Sequence, residues 1–384
     1  MSTLKVDAIR HNSATSDAIT TASDGTCSAN ITNNLSNRNK VINGAMMVHQ
    51  RGDASATGSA AYLACDRFKT NNGCGAQVAV TKSSDSPDEF GNSTKWDCTT
   101  ADSSIAASDF FLIQHRLEGQ NIQDFAKGTS SAKQFALSFY IKATKTGVYT
   151  VELEDVDNSR HCSKTITVSD TNWNRYKIIY PADTTGAFAN DNAFSLSINF
   201  WLVAGSNYNS GTLQSSAWGT GTTTRASSSN VNAMDSTSND FFLTGVQLEV
   251  GGTVTDFEHR SFGDELARCQ RYFYKVIGDS GDHTGIMGYF TQAAESRLGI
   301  HTPVPMRTGP TYAGNGNAQV DSAPDSVDFD LSANTNTIDA QTTTLNPDSF
   351  QLQCIHSGGS TAGGAGGGLR FRSAGAFITL SAEL

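Results

Sequence analysis

Residues 135–154 read FALSFYIKATKTGVYTVELE. Apolar side chains occupy every second position on both sides of a turn at residues 145–147, namely Phe135, Leu137, Phe139, Ile141, Tyr149, Val151 and Leu153. Successive side chains of a strand point to opposite faces of a sheet, so this spacing predicts two strands with one buried and one solvent-facing side. The short turn between them predicts a hairpin.

The same alternation returns in residues 194–202 and 246–250. The spacing between these runs leaves no room for crossover helices, so we expect an all-β fold. Its main part is an antiparallel jelly-roll sandwich over residues 40–257. Residues 42–48 are expected to open it as a strand, and the Thr-, Ser- and Asn-rich residues 218–240 are expected to form a surface loop.

The composition narrows the possible functions. The chain has 384 residues, of which 38% are hydrophobic and 17% charged, and its formal charge is −10. This balance argues against nucleic-acid binding, which needs a basic face. No apolar run of about 18 residues is present, so membrane insertion is not expected. The first residues lack the apolar core of a signal peptide, which predicts synthesis and folding in a cytosol.

Cysteine and histidine give no sign of a metal or other cofactor. The seven cysteines are scattered without a CxxC pair, and the eight histidines form no HxH or HxxxH pair. Structural zinc sites need such closely spaced ligands. We therefore expect reduced thiols and no cofactor.

Residues 258–275 predict a helical joint. Ser261, followed three residues later by Asp264, predicts a capped helix start. Leu266, Cys269 and Phe273 fall at helical spacing and predict one narrow apolar stripe. Three copies of this stripe could close around an axis as a homotrimer interface, or the stripe could pack on the chain's own sandwich; both interpretations stay open.

Two further units flank the sandwich and the joint. Residues 1–39 contain too little apolar material to close a core, and a turn at Asp24-Gly25 predicts a hairpin that orders within an assembly; a loose tail is the alternative. Residues 276–384 predict a second, smaller β domain. Strand candidates around and within it are residues 272–277, 285–291, 296–301, 350–356, 369–372 and 377–380.

Several motifs together resemble one family. They are NGAM at residues 43–46, HQRG at 49–52, DRF at 66–68, TGVQLEVG at 244–251, FEHR at 257–260, ELARCQRY at 265–272, the opening MSTLKV and the ending AFITLSAEL. This set is similar to tail-fibre-like proteins of marine and cyanobacterial tailed phages. The resemblance implies a homotrimeric virion protein that is assembled in the host cytoplasm. Its residues 1–39 would attach to tail or adaptor proteins, and its outer domains would meet the host surface. The middle unit resembles carbohydrate-binding jelly rolls.

Three aromatic residues are candidate contacts for a host polysaccharide. Sugars are held by aromatic faces together with amide and carboxylate hydrogen bonds. Tyr140 and Trp201 take outward positions in the strand alternation, and Trp218 lies beside Asn- and Thr-rich loops. The competing interpretation is that Tyr140 and Trp201 pack against a loop or another subunit.

Catalysis has little support in the sequence. Glu152, Glu154, Asp155 and Asp157 crowd one segment, and paired carboxylates can hydrolyse glycosidic bonds. Their positions on an outward strand face and in a turn predict a solvated strand end instead. We therefore expect recognition of a host-surface glycan by binding and not by turnover. The alternatives are a tailspike-type polysaccharide depolymerase and a purely structural collar or decoration protein.

Overall fold

The computed structural model describes residues 37–384 except 59, 279–282, 293–294, 315–317, 323–328, 331–336, 339–348, 356–365 and 372–375, and nearer the N-terminus residues 6–10, 12–13, 15, 17–21, 23 and 27–29. Within them the strands form antiparallel sheets, which confirms the all-β prediction. The α-helices found there are α1 (Ser206–Asn209) and α2 (Phe262–Gln270), with 3-10 turns at Gly119–Asn121, Gln123–Phe125 and Thr222–Thr224.

A small sheet lies near the N-terminus. It joins β1 (Ala8–Ile9), β2 (Ile19–Thr21) and β3 (Cys27–Ala29) in that order. β2 and β3 are antiparallel neighbours, as the predicted hairpin requires, and the Asp24-Gly25 turn lies outside the described residues. Attachment of this segment to a tail protein stays a prediction.

Two six-stranded sheets form the sandwich. Its strands are β4 (Ala54–Thr57), β5 (Ala61–Tyr62), β6 (Phe68–Asn72), β7 (Gln77–Ser83), β8 (Ser93–Thr100), β9 (Phe110–Glu118), β10 (Phe135–Ala143), β11 (Gly147–Asp155), β12 (Arg160–Val168), β13 (Asn174–Tyr180), β14 (Phe194–Ala204) and β15 (Asp240–Val250). The front sheet has the order β12-β11-β14-β9-β6-β5, and the back sheet has the order β13-β10-β15-β8-β7-β4. The chain passes repeatedly from one sheet to the other, as expected for a jelly roll.

The predicted hairpin of residues 135–154 is wrong. β10 pairs with β13 and β15 in the back sheet, whereas β11 pairs with β12 and β14 in the front sheet. Residues 144–146 therefore cross between the sheets, and Gly147 follows with a φ of +132°, a conformation that glycine adopts easily. Both strands nevertheless bury the predicted faces, because both sheets face one core.

That core consists of the alternating apolar residues of the two sheets. Strands β10, β11, β14 and β15 supply its centre, with Phe135, Leu137, Phe139, Ile141, Tyr149, Val151, Leu153, Leu196, Ile198, Phe200, Leu202, Phe241, Leu243, Val246 and Leu248 all buried. Opposite faces of the same strands point away from the core. A ligand site on a sheet face therefore depends on what covers these outer faces.

Residues 205–239, here called the covering loop, lie on the front sheet. The Val231 backbone N–H donates to the Val148 carbonyl at 2.9 Å, and the Ala233 N–H donates to the Leu202 carbonyl at 2.8 Å. Ala226 of this loop is fully buried and packs with Leu112 and Trp201 of the sheet. The predicted loop over residues 218–240 is present up to the start of β15 and has exposed positions, while main-chain hydrogen bonds to β11 and β14 hold it against the sandwich.

The segment before the sandwich is not the predicted strand. Residues 42–45 form a turn and residues 46–48 are irregular, and Asn43 has a φ of 61° and Met46 a φ of 52°. The buried Asn43 side chain replaces a strand ladder: its Oδ1 accepts from the Met47 and Val48 backbone N–H groups at 2.9 Å. Its Nδ2 donates to the Asp66 carbonyl at 3.0 Å. Asparagine tolerates the left-handed backbone region better than most residues, which explains the turn.

The strands after α2 form two further sheets. They are β16 (Phe273–Gly278), β17 (His283–Gln292), β18 (Glu295–His301), β19 (Thr311–Gly314), β20 (Ala318–Ser322), β21 (Phe329–Asp330), β22 (Thr337–Ile338), β23 (Ser349–Ile355), β24 (Gly366–Phe371) and β25 (Ala376–Ser381). The sheet orders are β16-β25-β19 and β21-β20-β24-β17-β18-β23-β22. All six strand candidates predicted around and within this part coincide with strands.

Candidate functional site

Hydrogen-bonded polar side chains run across four strands on the outer face of the front sheet. Asn71 Nδ2 on β6 donates to Gln114 Oε1 on β9 at 3.0 Å, and Gln114 Nε2 donates to Asn199 Oδ1 on β14 at 2.8 Å. Asn199 Nδ2 then donates to Glu152 Oε2 and Glu154 Oε2 on β11, both at 2.9 Å. The result is a row of amides and carboxylates, fixed in orientation, that crosses the strands at right angles.

Arg225 of the covering loop completes this row. Its Nε donates to Glu152 Oε1 at 2.7 Å, and its Nη2 lies 3.0 Å from Glu152 Oε2 and 2.7 Å from Glu154 Oε2. Trp201 Nε1 also donates to Glu152 Oε2, at 3.0 Å. Burial alone would lower the pKa of Arg225, but the two carboxylates raise it above its ordinary value. Charge pairing thus stabilises Glu152, which is fully buried.

The expectation of a solvated strand end is therefore wrong for two of the four carboxylates. Glu152 is covered by the loop that carries Arg225, and Asp155 is fully buried against Lys127, whose Nζ donates to Asp155 Oδ2 at 2.5 Å. Glu154 is partly exposed, and Asp157 is exposed as predicted. Strand alternation gives the face correctly, but it cannot show that a distant segment covers that face.

A groove lies beside the polar row. This front-sheet groove has a volume of about 240 Å³. It is lined by Asn71, Phe110, Leu112, Gln114, Arg116, Glu154, Val156, Phe194, Trp201, Tyr208 and Arg225. The Phe110 and Tyr208 rings meet edge to face with centroids 5.7 Å apart, and Tyr208 lies 5.3 Å from Trp201. Aromatic walls next to oriented amides and a carboxylate suit a ligand with both apolar faces and hydroxyl groups.

A second hollow continues past the Arg225–Glu154 ion pair. It has a volume of about 380 Å³ and shares Glu154, Val156 and Arg225 with the groove. His161 lines it and lies 3.1 Å from Thr224 Oγ1 through its Nε2. Burial lowers the pKa of His161, so its imidazole is neutral at neutral pH and offers one donor and one acceptor. The polar surface thus extends beyond the groove.

The three predicted aromatic contacts do not come together. Trp201 lies on the groove floor with 1% of its surface exposed, beneath Tyr208 and the covering loop, which agrees with the competing interpretation of packing. Tyr140 lies on the other face of the molecule, on the back sheet, where its ring packs 5.3 Å from Phe90. Tyr140 and Trp201 therefore lie on different surfaces, and of the three predicted residues Trp201 alone lines the groove.

Trp218 is the clearest correction among them. Its side chain is 5% exposed, its ring lies 5.3 Å from Phe135, and its Nε1 donates to the Pro181 carbonyl at 2.8 Å. An indole that packs on the core in this way has no free face for a sugar. The expectation arose because Trp218 stands in a polar stretch, although the tryptophan is what anchors that stretch.

The residues expected at a trimer axis are mostly covered within the chain. Cys269 is fully buried, Phe273 lies in β16 beneath the guanidinium of Arg51 at 3.6 Å, and Leu266 is half-buried. α2 ends at Gln270, before Phe273, so the predicted helical stripe does not extend that far. Packing on the chain's own sandwich is the interpretation that this structure shows, and a homotrimer stays a prediction.

The described residues contain neither a metal-ligand cluster nor a membrane-spanning helix. No group of three or more His, Cys, Asp or Glu side chains there is arranged to hold a metal ion. In the same part of the chain, no helix is long and apolar enough to cross a membrane.

Comparison with known proteins gives distant structural similarities. No family model matches the chain, and no curated protein matches it. The family 11 carbohydrate-binding module of the cellulase Lic26A-Cel5E of Clostridium thermocellum is similar at 14% identity, over 54% of this chain and 99% of that chain, with a TM-score of 0.26. TmCBM61 in complex with β-1,4-galactotriose is similar at 11% identity, over 56% of this chain and 99% of that chain, with a TM-score of 0.29.

A phage protein is among the similar structures. The enzymatically active domain of tailspike protein 4 of bacteriophage CBA120 is similar at 15% identity, over 55% of this chain and 21% of that chain, with a TM-score of 0.28. At such scores no ligand or activity is transferred from these proteins to this chain.

Proposed function

We propose that the front-sheet groove binds a glycan without cleaving it. The observation that carries this proposal is the row of oriented side chains from Asn71 to Glu154 beside the partly buried rings of Phe110 and Tyr208. A sugar presents hydroxyl groups that need paired donors and acceptors, and C–H faces that pack on aromatic rings. Side chains held by one another lose little further freedom when a ligand binds, which favours affinity.

The carboxylates of the groove support binding over hydrolysis. A glycosidase needs two carboxyl groups that both reach the scissile bond. Here both Glu152 oxygens accept hydrogen bonds from protein groups, and the residue is fully buried. Glu154 is partly exposed but is paired with Arg225 at 2.7 Å. This pair is built to hold the covering loop in place.

The biological setting follows from the motif resemblance. A tail-fibre-like protein would carry this groove to a host cell, where its ligand would be a surface polysaccharide. The N-terminal segment would attach the protein to the tail, and the virion would be its location. The depolymerase and the structural collar protein are the two competing outcomes of the test.

The test measures adsorption of the purified full-length chain to host cells and its retardation in gels that contain soluble β-glucan, xylan, galactan or mannan. Tyr208→Ala should weaken both about tenfold, because the groove loses an aromatic wall. Trp173→Ala, a half-buried aromatic at the edge of the back sheet, serves as the matched control and should bind as wild type.

Three results would contradict the proposal. Release of reducing ends from a bound polysaccharide would indicate a depolymerase. Failure to adsorb to cells and to all four polysaccharides would favour a structural protein. Unchanged binding by Tyr208→Ala would remove the groove as the site.

A further inference from the structure

A separate cavity lies at the joint between the sandwich and α2. This joint cavity has a volume of about 440 Å³. It is lined by Asn37, Asn39, Lys40, Ile42, Gln120, Asn121, Arg268, Arg271 and Tyr272. It shares no lining residue with the front-sheet groove. Its volume falls within the roughly 300–1,000 Å³ of small-molecule sites.

The charge of the joint cavity is unusual for this acidic chain. Three cationic side chains line it, and no carboxylate does. Lys40 Nζ lies 2.7 Å from Asp124 Oδ2, and Arg271 makes two hydrogen bonds of 2.9 Å to Glu118, so two of the three charges are compensated from outside the lining.

Arg268 is the third cation, and its positive charge is not compensated in this way. It is exposed in the last turn of α2, and its Nη2 donates to the neutral Asn37 Oδ1 at 3.0 Å. Within the described residues it forms no ion pair. The cavity therefore carries about one uncompensated positive charge in a chain whose formal charge is −10.

The other polar groups of the cavity are amides. The side chains of Asn37, Gln120 and Asn121 are exposed at its surface. Gln120 Nε2 donates to Glu118 Oε2 and Asn37 Oδ1 accepts from Arg268, so Gln120 offers its oxygen as an acceptor while Asn121 can both donate and accept. One uncompensated cation among amides and two compensated cations matches a ligand with one carboxylate and several hydroxyl groups. A guanidinium binds a carboxylate through charge-assisted hydrogen bonds, and amides pair with hydroxyls.

We propose that the joint cavity is a second saccharide site, which takes a carboxylate-bearing sugar of the uronic acid class. Arg268 binds the carboxylate, and the amides of Gln120 and Asn121 bind ring hydroxyls. The choice of a sugar over another carboxylate rests on the proposed function. The cavity, its charge and its lining are independent of the groove.

The experiment titrates the full-length chain with glucuronate and, in parallel, with glucose, and follows binding by ligand-observed NMR. Glucuronate should bind and glucose should bind at least about tenfold more weakly, because only the acid engages the guanidinium. Arg268→Gln should weaken glucuronate binding about tenfold, and Arg268→Lys should retain part of it. Lys177→Gln, which removes the same charge from an exposed position on β13, should leave binding unchanged.

The Tyr208→Ala variant of the groove separates the two proposals, since it should bind glucuronate as wild type. Loss of glucuronate binding in that variant would show that glucuronate binds in the groove, and would overturn the second site. Equal affinity for glucose, unchanged binding by Arg268→Gln, or tighter binding of N-acetylglutamate than of glucuronate would also overturn it. Arg268 is exposed, so thermal unfolding of Arg268→Gln should match wild type and show that the fold is intact.

Discussion

Glu152 shows how one residue links the stability of the front sheet to its proposed site. The carboxylate lies on the outer face of β11, yet the covering loop removes it from water. A buried carboxylate is tolerated only when it is paired and hydrogen-bonded, and here Arg225, Asn199 and Trp201 supply the partners. The same bonds orient the amides that line the groove, so the site depends on this one ion pair.

Arg225→Ala should lower the free energy of unfolding by about 3 kcal/mol, because it leaves the Glu152 charge buried without a counterion. Chemical denaturation measures this. Arg175→Ala is the matched control, since each of the two arginine side chains is 20% exposed but Asp256, the partner of Arg175, is fully exposed. The control should lose less than about 1 kcal/mol. Equal losses would contradict the role of burial.

Asp66 offers a test by pH. Burial raises the pKa of Asp66 to about 6, with Glu383 acting in the same direction and Arg51 and Gln50 opposing. The unfolded chain releases this proton near the ordinary value of 3.8, so between these pH values the folded state binds more protons. The stability contributed by Asp66 therefore falls as pH rises through that window and is constant above it.

The measurement compares unfolding of wild type and Asp66→Asn at several pH values, which cancels the titration of all other groups. The free energy of wild type relative to the variant should fall as pH rises from about 4 to about 6. A constant difference over this range would contradict the raised pKa.

At the residue scale, the sequence predicted which side chains face outward but not what lies over them. Trp201 and Glu152 were correctly assigned to outward positions, and both are buried by residues 205–239. The groove residues Gln114 and Arg116 were missed altogether. Their signal was present, since Phe111, Ile113 and Leu117 alternate with them in β9. When a loop that is distant in sequence buries the outward residues of a strand, the strand's own sequence carries no pattern that shows it.

At the scale of the element, α2 has the start that its sequence predicts. Ser261 Oγ accepts from the Asp264 backbone N–H at 3.2 Å, and the same hydroxyl donates to Asp264 Oδ2 at 2.9 Å. The cap satisfies one of the free amides of the first turn. Glu265 then binds the Asn43 N–H at 2.6 Å, which fixes the helix against the turns that precede the sandwich.

Ser261→Ala should therefore cost about 1 kcal/mol of stability, through loss of the N-cap hydrogen bond. Thermal unfolding measures the change, and Ser131→Ala in an exposed turn is the control, expected within about 0.5 kcal/mol of wild type. A cost no larger than that of the control would show that the first turn of α2 contributes little.

The positions of strands were predicted more successfully than the pairing between strands. Alternation identified β10, β11 and β14, because each places apolar residues at every second position toward the core. Six of the strands after α2 were identified as well. Alternation did not identify the partners of β10 and β11, since strands that face one core from two sheets have the same pattern as a hairpin. The strand predicted for residues 42–48 is wrong for a different reason. Asn43 adopts a left-handed backbone conformation, and its side chain bonds to Asp66, which is distant in sequence.

At the scale of the whole molecule, the last residues hold the C-terminal sheets to the sandwich. Glu383 binds Arg67, which is fully buried, and lies 3.0 Å from Arg51. The guanidinium of Arg67 also lies 3.5 Å above the Tyr272 ring. Glu383 thus pairs with both arginines at the boundary between the parts, and Arg51 has a second partner in Asp66 Oδ1 at 2.8 Å.

Glu383→Gln should destabilise the chain by about 3 kcal/mol, because Arg67 loses its counterion while it stays buried. Hydrogen exchange should accelerate most in β25 and β16. Glu89→Gln, at an exposed position, is the control and should change stability by no more than about 0.5 kcal/mol. Unchanged exchange in β25 would show that the carboxylate does not hold the two parts together.

Assembly can be tested by the mass of the particle in solution. A homotrimer predicts a mass by light scattering of three times the 40.8 kDa of one chain. With Cys269 and Phe273 already covered, we expect Cys269→Ser to change stability and leave that mass unchanged. Dissociation of a homotrimer by this substitution would instead support the apolar stripe as the contact between subunits.

Arg116 touches both the groove and the C-terminal strand. Its side chain lines the groove, its Nη2 lies 3.3 Å from Gln114 Oε1, and its Nη1 donates to the Leu384 carbonyl at 2.7 Å. A glycan that engages Arg116 therefore shares a residue with the docking of β25, and thermodynamic linkage makes such an effect mutual. If sugar tightens that docking, then the state with β25 docked must bind sugar more tightly than the undocked state by the same factor, and occupancy of the groove would be felt in the C-terminal sheets.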